Sequence, residues 1–156
     1  MTIQLLSHVA LRVTELDRSL RFYRDGLGFR EVSRVELEGG PTALMLNAPQ
    51  ASTSAIFLER DSTTLELQQL SFPDGRELSM PEVGLGWSHI GLRVDDAEKV
   101  AETLCALGGH VIESSRYRDP ELGSHVFFVS DPDGARVELI ELPGDPRQVV
   151  GTPSAP

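Results

Sequence analysis

His8-Val9-Ala10-Leu11-Arg12-Val13 and, 81 residues further on, His89-Ile90-Gly91-Leu92-Arg93-Val94 are two versions of one strand, and each opens on a histidine. Each half also closes on a glutamate between apolar residues. Leu65-Glu66-Leu67 lies 58 residues after the first histidine and Val137-Glu138-Leu139 lies 49 after the second. Successive side chains of a strand point to opposite faces, so His8, Ala10 and Arg12 share one face while Val9, Leu11 and Val13 share the other. A duplication of both features delivers two imidazoles and two carboxylates at equivalent positions.

Working outward, the spacing predicts a first strand over roughly 4–13 and an N-cap at Thr14. A helix from Glu15 to about Asp25 follows, with Leu16, Leu20 and Tyr23 on its apolar stripe and Gly26-Leu27-Gly28 as its stop. Residues 29–38 read as strand, and 42–53 as a short helix or loop. Ser54–Glu59 and Thr63–Leu70 read as a hairpin around Arg60-Asp61-Ser62, with Glu66, Gln68 and Leu70 on one face. The second half repeats the order: strand 87–94, a helix capped by Asp95 or Asp96 and running through Leu107, then strands 110–118, 124–130 and 135–141. Asp131-Pro132-Asp133-Gly134 supplies the fixed φ and then the φ > 0 of a tight reversal. The organisation is therefore α+β: a first βαβββ module over 1–75, a linker over 76–86, a second module over 87–142 and a tail over 143–156. The extra length of the first module is placed in 40–53.

Composition narrows the function classes. With 24 acidic against 14 basic residues in a chain of 156, the net charge is −10, which repels nucleic acid and anionic membrane surfaces. No apolar run is long enough to span a bilayer, and the N-terminus lacks a basic segment followed by an apolar one, so a cytoplasmic protein with a small-molecule partner is expected. Cys105 falls in a helical stretch, where it is expected as a small buried hydrophobe.

Two imidazoles and two carboxylates suit Zn²⁺, Ni²⁺, Co²⁺, Mn²⁺ or Fe²⁺ better than Ca²⁺ or a thiolate-bound ion. His8, Glu66, His89 and Glu138 are therefore expected to hold one divalent metal per site with open positions left for substrate. A metal there would polarise neighbouring substrate oxygens and favour removal of an adjacent C–H proton. Glu138 or Glu66 is the expected base. Weaker expectations attach to Arg12, Arg93, His125 and Gln68 as substrate-pocket residues; the two arginines lie four residues beyond the histidines, on the same face, with a charge suited to a substrate carboxylate. Trp87, Tyr117 and Phe128 are expected in the core or at a dimer contact, and His110 at the surface.

Together the tandem βαβββ order, Phe22-Tyr23 followed by Gly26-Leu27-Gly28-Phe29, the His89–Asp96 stretch and Asp131-Pro132-Asp133-Gly134 before Val137-Glu138-Leu139 resemble the vicinal oxygen chelate superfamily over about residues 4–142. The resemblance implies paired modules around a cupped, metal-centred cavity. It spans glyoxalase I, methylmalonyl-CoA epimerase, extradiol dioxygenases, fosfomycin-modifying enzymes and metal-free antibiotic-binding proteins. The His/Glu/His/Glu order is similar to the glyoxalase I pattern, which implies an isomerase or lyase working by proton transfer and enolate stabilisation. An epimerase would carry Gln in place of the first Glu, a place Gln68 would take if the register slipped. An Fe-dependent dioxygenase would need only His8, His89 and Glu138. A homodimer is expected, since half-sheets leave open edges.

Overall fold

The computed structural model describes residues 3–37, 51–76, 78 and 86–147. The chain divides into two compact units, Met1–Glu82 and Val83–Pro156. Each is a mixed sheet with one helical segment on one face, the arrangement of an α+β fold.

In the first unit β1 (Val9–Arg12) is followed by helix α1 (Leu16–Leu20), then by strands β2 (Arg30–Leu37), β3 (Ser52–Arg60) and β4 (Thr63–Ser71). The sheet order is β1-β4-β3-β2, with β1 parallel to β4 and the other pairs antiparallel. A strand that returns parallel to its neighbour needs a crossover, and the helical segment supplies it. The expected helix is present but not uniform. Glu15 rather than Thr14 caps it, accepting from the amides of Asp17 and Arg18, and from Arg21 to Gly26 it widens into a π-helix. Leu16, Leu20, Phe22 and Tyr23 are buried on the sheet side, over Ile56, Leu58, Leu65 and Leu67. Burying each such side chain contributes about 1.5–3 kcal/mol. The hairpin turns on two residues, Asp61 and Ser62, at φ 50° and 62°, so Arg60 belongs to β3. Of the stretch expected as helix or loop, Ser52 and Thr53 are strand, and 42–50 lies outside the described residues.

The second unit runs β5 (His89–Val94), α2 (Ala97–Ala106), β6 (His110–Val111), β7 (Tyr117–Asp119), β8 (Ser124–Ser130) and β9 (Arg136–Glu141). Its core order is β5-β9-β8-β6, with β7 also paired to β8 and β5 parallel to β9. The strand expected over 110–118 is broken by a 3₁₀ turn at Glu113–Ser115. The Ser115 hydroxyl causes the break locally: it donates to the Ile112 carbonyl and accepts from the Phe128 amide at 2.9 Å, taking a place in the ladder that a backbone carbonyl would fill. Helix α2 buries Ala97, Ala101 and Leu104. Cys105, expected inside, is exposed, because it stands about 100° further round the helix than Leu104, which takes the inward place. Trp87 and Tyr117 are likewise exposed, whereas Phe128 is half-buried.

Candidate metal centre

The repeat is carried through to the side chains. In the first ladder Ala10 pairs with Glu66, and in the second Gly91 pairs with Glu138, so each glutamate stands opposite the residue two beyond a histidine. Alternation then puts His8 on the face of Glu66 and His89 on the face of Glu138, in both cases the face away from the helix. His8 Nε2 is 3.1 Å from Glu66 Oε2, and His89 Nε2 is 3.3 Å from Glu138 Oε2. Each imidazole is further met by an aromatic edge, Phe57 at 5.6 Å and Phe128 at 5.1 Å between ring centres. Phe57 pairs with Glu66 and Phe128 with Glu138, so these contacts are also one feature copied twice.

Each histidine follows a serine whose hydroxyl lies at Nδ1: Ser7 Oγ at 3.1 Å from His8 and Ser88 Oγ at 3.0 Å from His89. An Nδ1–H donated to that oxygen leaves Nε2 as the lone-pair nitrogen, the state a metal-ligating imidazole needs. Ser7-His8 and Ser88-His89 were visible as a repeated dipeptide. Their significance depends on the direction of the ring, which spacing does not give.

The donor chemistry fits a divalent ion. Cis ligands on an ion with bonds of about 2.1 Å stand roughly 3 Å apart, near the separation within each His–Glu pair. Among the described residues no three His, Cys, Asp or Glu side chains gather closely enough to hold a metal. Within the first unit the structure brings His8 to Glu66, and within the second it brings His89 to Glu138.

The register decides between the two candidates on β4. Glu66 stands by His8, whereas Gln68 is one step further along, opposite Arg12 and Ala55. Gln68 is buried and donates from Nε2 to Glu66 Oε1 at 3.2 Å, which makes it a partner of the carboxylate rather than an open pocket residue. Arg12 is exposed on the His8 face. Arg93 is on the His89 face, but its guanidinium donates to the Leu142 carbonyl at 2.6 Å.

His125 does not line this face. Phe128 shares the face of Glu138, and His125, three residues away on the same strand, points to the other side beneath α2. There it is buried beside Phe127, at 4.8 Å between rings, with Nε2 3.7 Å from Glu98 Oε1. Arg116 and Arg118 also reach Glu98, at 2.7 and 3.1 Å. The hydrogen bond from Arg116 holds the Glu113 carboxyl below the usual carboxylate range. This cluster ties α2 to the strands under it and is separate from the His–Glu pairs. His110 is exposed.

Two features escaped the sequence reading. Gln69 Oε1 accepts from the Leu16 amide at 3.1 Å, and Glu141 Oε2 accepts from the Ala97 amide at 3.0 Å. Each final strand therefore anchors the start of its own helix from the face opposite the glutamate. The equal offset of Gln69 from Glu66 and of Glu141 from Glu138 was the available signal.

The family described as Glyoxalase/Bleomycin resistance protein/Dioxygenase superfamily matches residues 5–139. A protein of Haemophilus influenzae named lactoylglutathione lyase is 33% identical over 136 residues, which cover 86% of this chain and 90% of that one. One of the same name from Neisseria meningitidis is 31% identical over 137 residues, covering 87% and 89%. The crystal structure of a glyoxalase family protein from Bacillus cereus superposes with a TM-score of 0.77 over 92% of this chain and 97% of that one; at 16% identity it speaks for the fold. Among the described residues no helix is long and apolar enough to cross a membrane.

Proposed function

The chain belongs to the Glyoxalase/Bleomycin resistance protein/Dioxygenase superfamily, and from that premise we propose a divalent-metal-dependent, glyoxalase-like isomerase or lyase whose metal ligands are His8, Glu66, His89 and Glu138. The observation that carries the reading is the doubled Ser–His–Glu arrangement. In each copy a hydroxyl engages Nδ1 and leaves Nε2 beside a carboxylate oxygen, at 3.1 and 3.3 Å. A divalent ion bound there would polarise two neighbouring substrate oxygens and lower the cost of charge developing on them. Zn, Ni, Co, Mn and Fe all suit the donors.

The relatives' name points to the substrate class. Lactoylglutathione is a thioester of a 2-hydroxy acid, and it is an isomer of the hemithioacetal formed from a thiol and a 2-oxoaldehyde. Their interconversion takes a proton from the carbon bearing sulfur and returns one to the neighbouring carbon, with the hydroxyl proton exchanging between the two oxygens. No outside oxidant is required. Glu138 is the better placed base: its side chain is 24% exposed against 11% for Glu66. Glu66 is the second candidate. Arg12, exposed on the His8 face, is suited to a carboxylate of the thiol partner.

An epimerase of the methylmalonyl-CoA type is the runner-up in the same chemistry. It would place an amide beside the first histidine, and the residue there is Glu66, which favours the glyoxalase-like reading.

The test is metal analysis of untagged protein together with thioester formation from methylglyoxal and glutathione. About one divalent ion per site, lost with the activity in His8→Ala, Glu66→Ala, His89→Ala and Glu138→Ala, is the expected result. Folded wild-type protein that takes up no divalent ion, or activity surviving in all four variants, would overturn it. The molar mass of the metal-loaded protein measures whether it works as a homodimer.

A further inference from the structure

The two His–Glu pairs differ in what else holds the carboxylate. At Glu66 both oxygens are engaged: Oε2 faces His8 at 3.1 Å and Oε1 accepts from Gln68 Nε2 at 3.2 Å. A carboxylate has no proton to give, so the amide must present its nitrogen. Glu66 and Gln68 are 8% and 6% exposed, which leaves the bond sheltered from competing water. At the equivalent place two residues beyond Glu138 stands Ile140, buried and without a donor. Among the described residues only the His89 side chain pairs with the Glu138 carboxylate.

We propose that Gln68 is a positioning residue: its amide locks the Glu66 carboxylate in the orientation that binds metal, making Glu66 the fixed ligand and leaving Glu138 as the carboxylate able to swing. This rests on the metal reading above and assigns the two halves of the repeat different tasks. A free carboxylate rotates about its last side-chain bond and loses that freedom on binding an ion. Gln68 removes the freedom beforehand, while folding, so less is lost when the metal arrives. Ile140 cannot do this for Glu138, whose carboxylate keeps the mobility that proton transfer requires.

The variant to test is Gln68→Met, which keeps length and loses the donor. Calorimetric titration of the metal-free protein with Co²⁺ should show a dissociation constant raised about 10–100-fold, the usual cost of losing a hydrogen-bond partner of a ligand. The visible bands of bound Co²⁺ should shift, since the carboxylate that binds the ion is no longer held in one orientation. Ile140→Leu should leave both the affinity and the bands unchanged. Should Gln68→Met fail to fold, Gln68→Asn, whose amide is one methylene too short to reach, is expected to give the same loss of affinity.

A measurement on the wild type needs no variant: the Gln68 side-chain amide protons should exchange slowly with water in the NMR spectrum and lose that protection in Glu66→Ala. Wild-type affinity and spectrum in the folded Gln68 variants, or a freely exchanging Gln68 amide, would overturn the proposal while the metal site stands. A folded wild-type protein that binds no Co²⁺ removes the metal reading and this proposal together.

Discussion

Gly91 lies directly opposite Glu138 in the parallel β5–β9 ladder, and a Cβ added to it would meet Glu138 Oε2 at 3.2 Å and Ile140 Cδ1 at 3.5 Å. In the first unit the same place holds Ala10, opposite Glu66. The second carboxylate therefore rests against a strand surface that has no side chain to hold it off.

Gly91→Ala should push the Glu138 carboxylate away by a few tenths of an ångström without straining the backbone, because Gly91 is not among the positive-φ residues. Removing a glycine from a compatible backbone stabilises by about 0.4–1 kcal/mol through the unfolded chain. The expected combination is an unchanged or slightly raised Tm with several-fold lower kcat. Ala10→Gly should lower the Tm and leave kcat near wild type. Equal kcat in wild type and Gly91→Ala would show that the contact has no bearing on Glu138.

A second glycine is held by conformation as well as by space. Gly28 has φ +71°, and a Cβ there would come within 2.9 Å of Arg60 Nη1. That nitrogen donates to the Leu27 carbonyl, so Arg60 reaches from the end of β3 to satisfy the C-terminal end of the first helical segment. Gly28→Ala should destabilise by about 1–3 kcal/mol from the left-handed backbone alone. Arg60→Ala should cost less, about 1 kcal/mol for the lost hydrogen bond. Urea denaturation of both would check the order, and the double variant should remain less stable than Arg60→Ala, since removing Arg60 clears the space but leaves the φ.

The paired helix anchors give a comparison between the units. Glu141→Ala and Gln69→Ala each remove an acceptor from a helix-start amide and should each cost about 0.5–2 kcal/mol, the range for losing an N-terminal cap. Glu141→Gln keeps the acceptor and removes only the charge, worth about 0.3–1 kcal/mol at a helix N-terminus. Denaturation midpoints at low and high salt should separate these parts, with salt narrowing the difference between the wild type and Glu141→Gln.

Much of this was legible because duplication and strand alternation are properties of a single chain read against itself. His8, Glu66, His89 and Glu138 could be placed on common faces from period-2 counting, and the ladders have them there. Counting from Glu138 through its partner Phe128 would also have put His125 on the far face; reading it from the start of its strand did not. The π-helical turn after Leu20 and the break at Ser115 were not legible, since each depends on tertiary context: packing of Phe22 and Tyr23 in one case, the Phe128 amide in the other. Gln68 was visible as a neighbour of Glu66, but which way its amide points depends on both being buried together. Gln69 and Glu141 were hidden for a related reason: their partners are 53 and 44 residues away along the chain.

The serines preceding the two histidines allow a test of whether both pairs serve one ion. Ser7→Ala and Ser88→Ala each remove the Nδ1 partner and let the ring turn, and both hydroxyls are exposed, so each loss should fall near the lower end of the usual range, about tenfold in metal affinity. If the histidines bind the same ion, each single variant weakens the whole site in a single phase, and the double variant weakens it further than either single variant. Two independent sites would instead give biphasic titrations in the single variants, with one phase at wild-type affinity. Calorimetric titration with Zn²⁺ distinguishes the two patterns, and a biphasic curve would count against a four-ligand centre even where metal binding itself is retained.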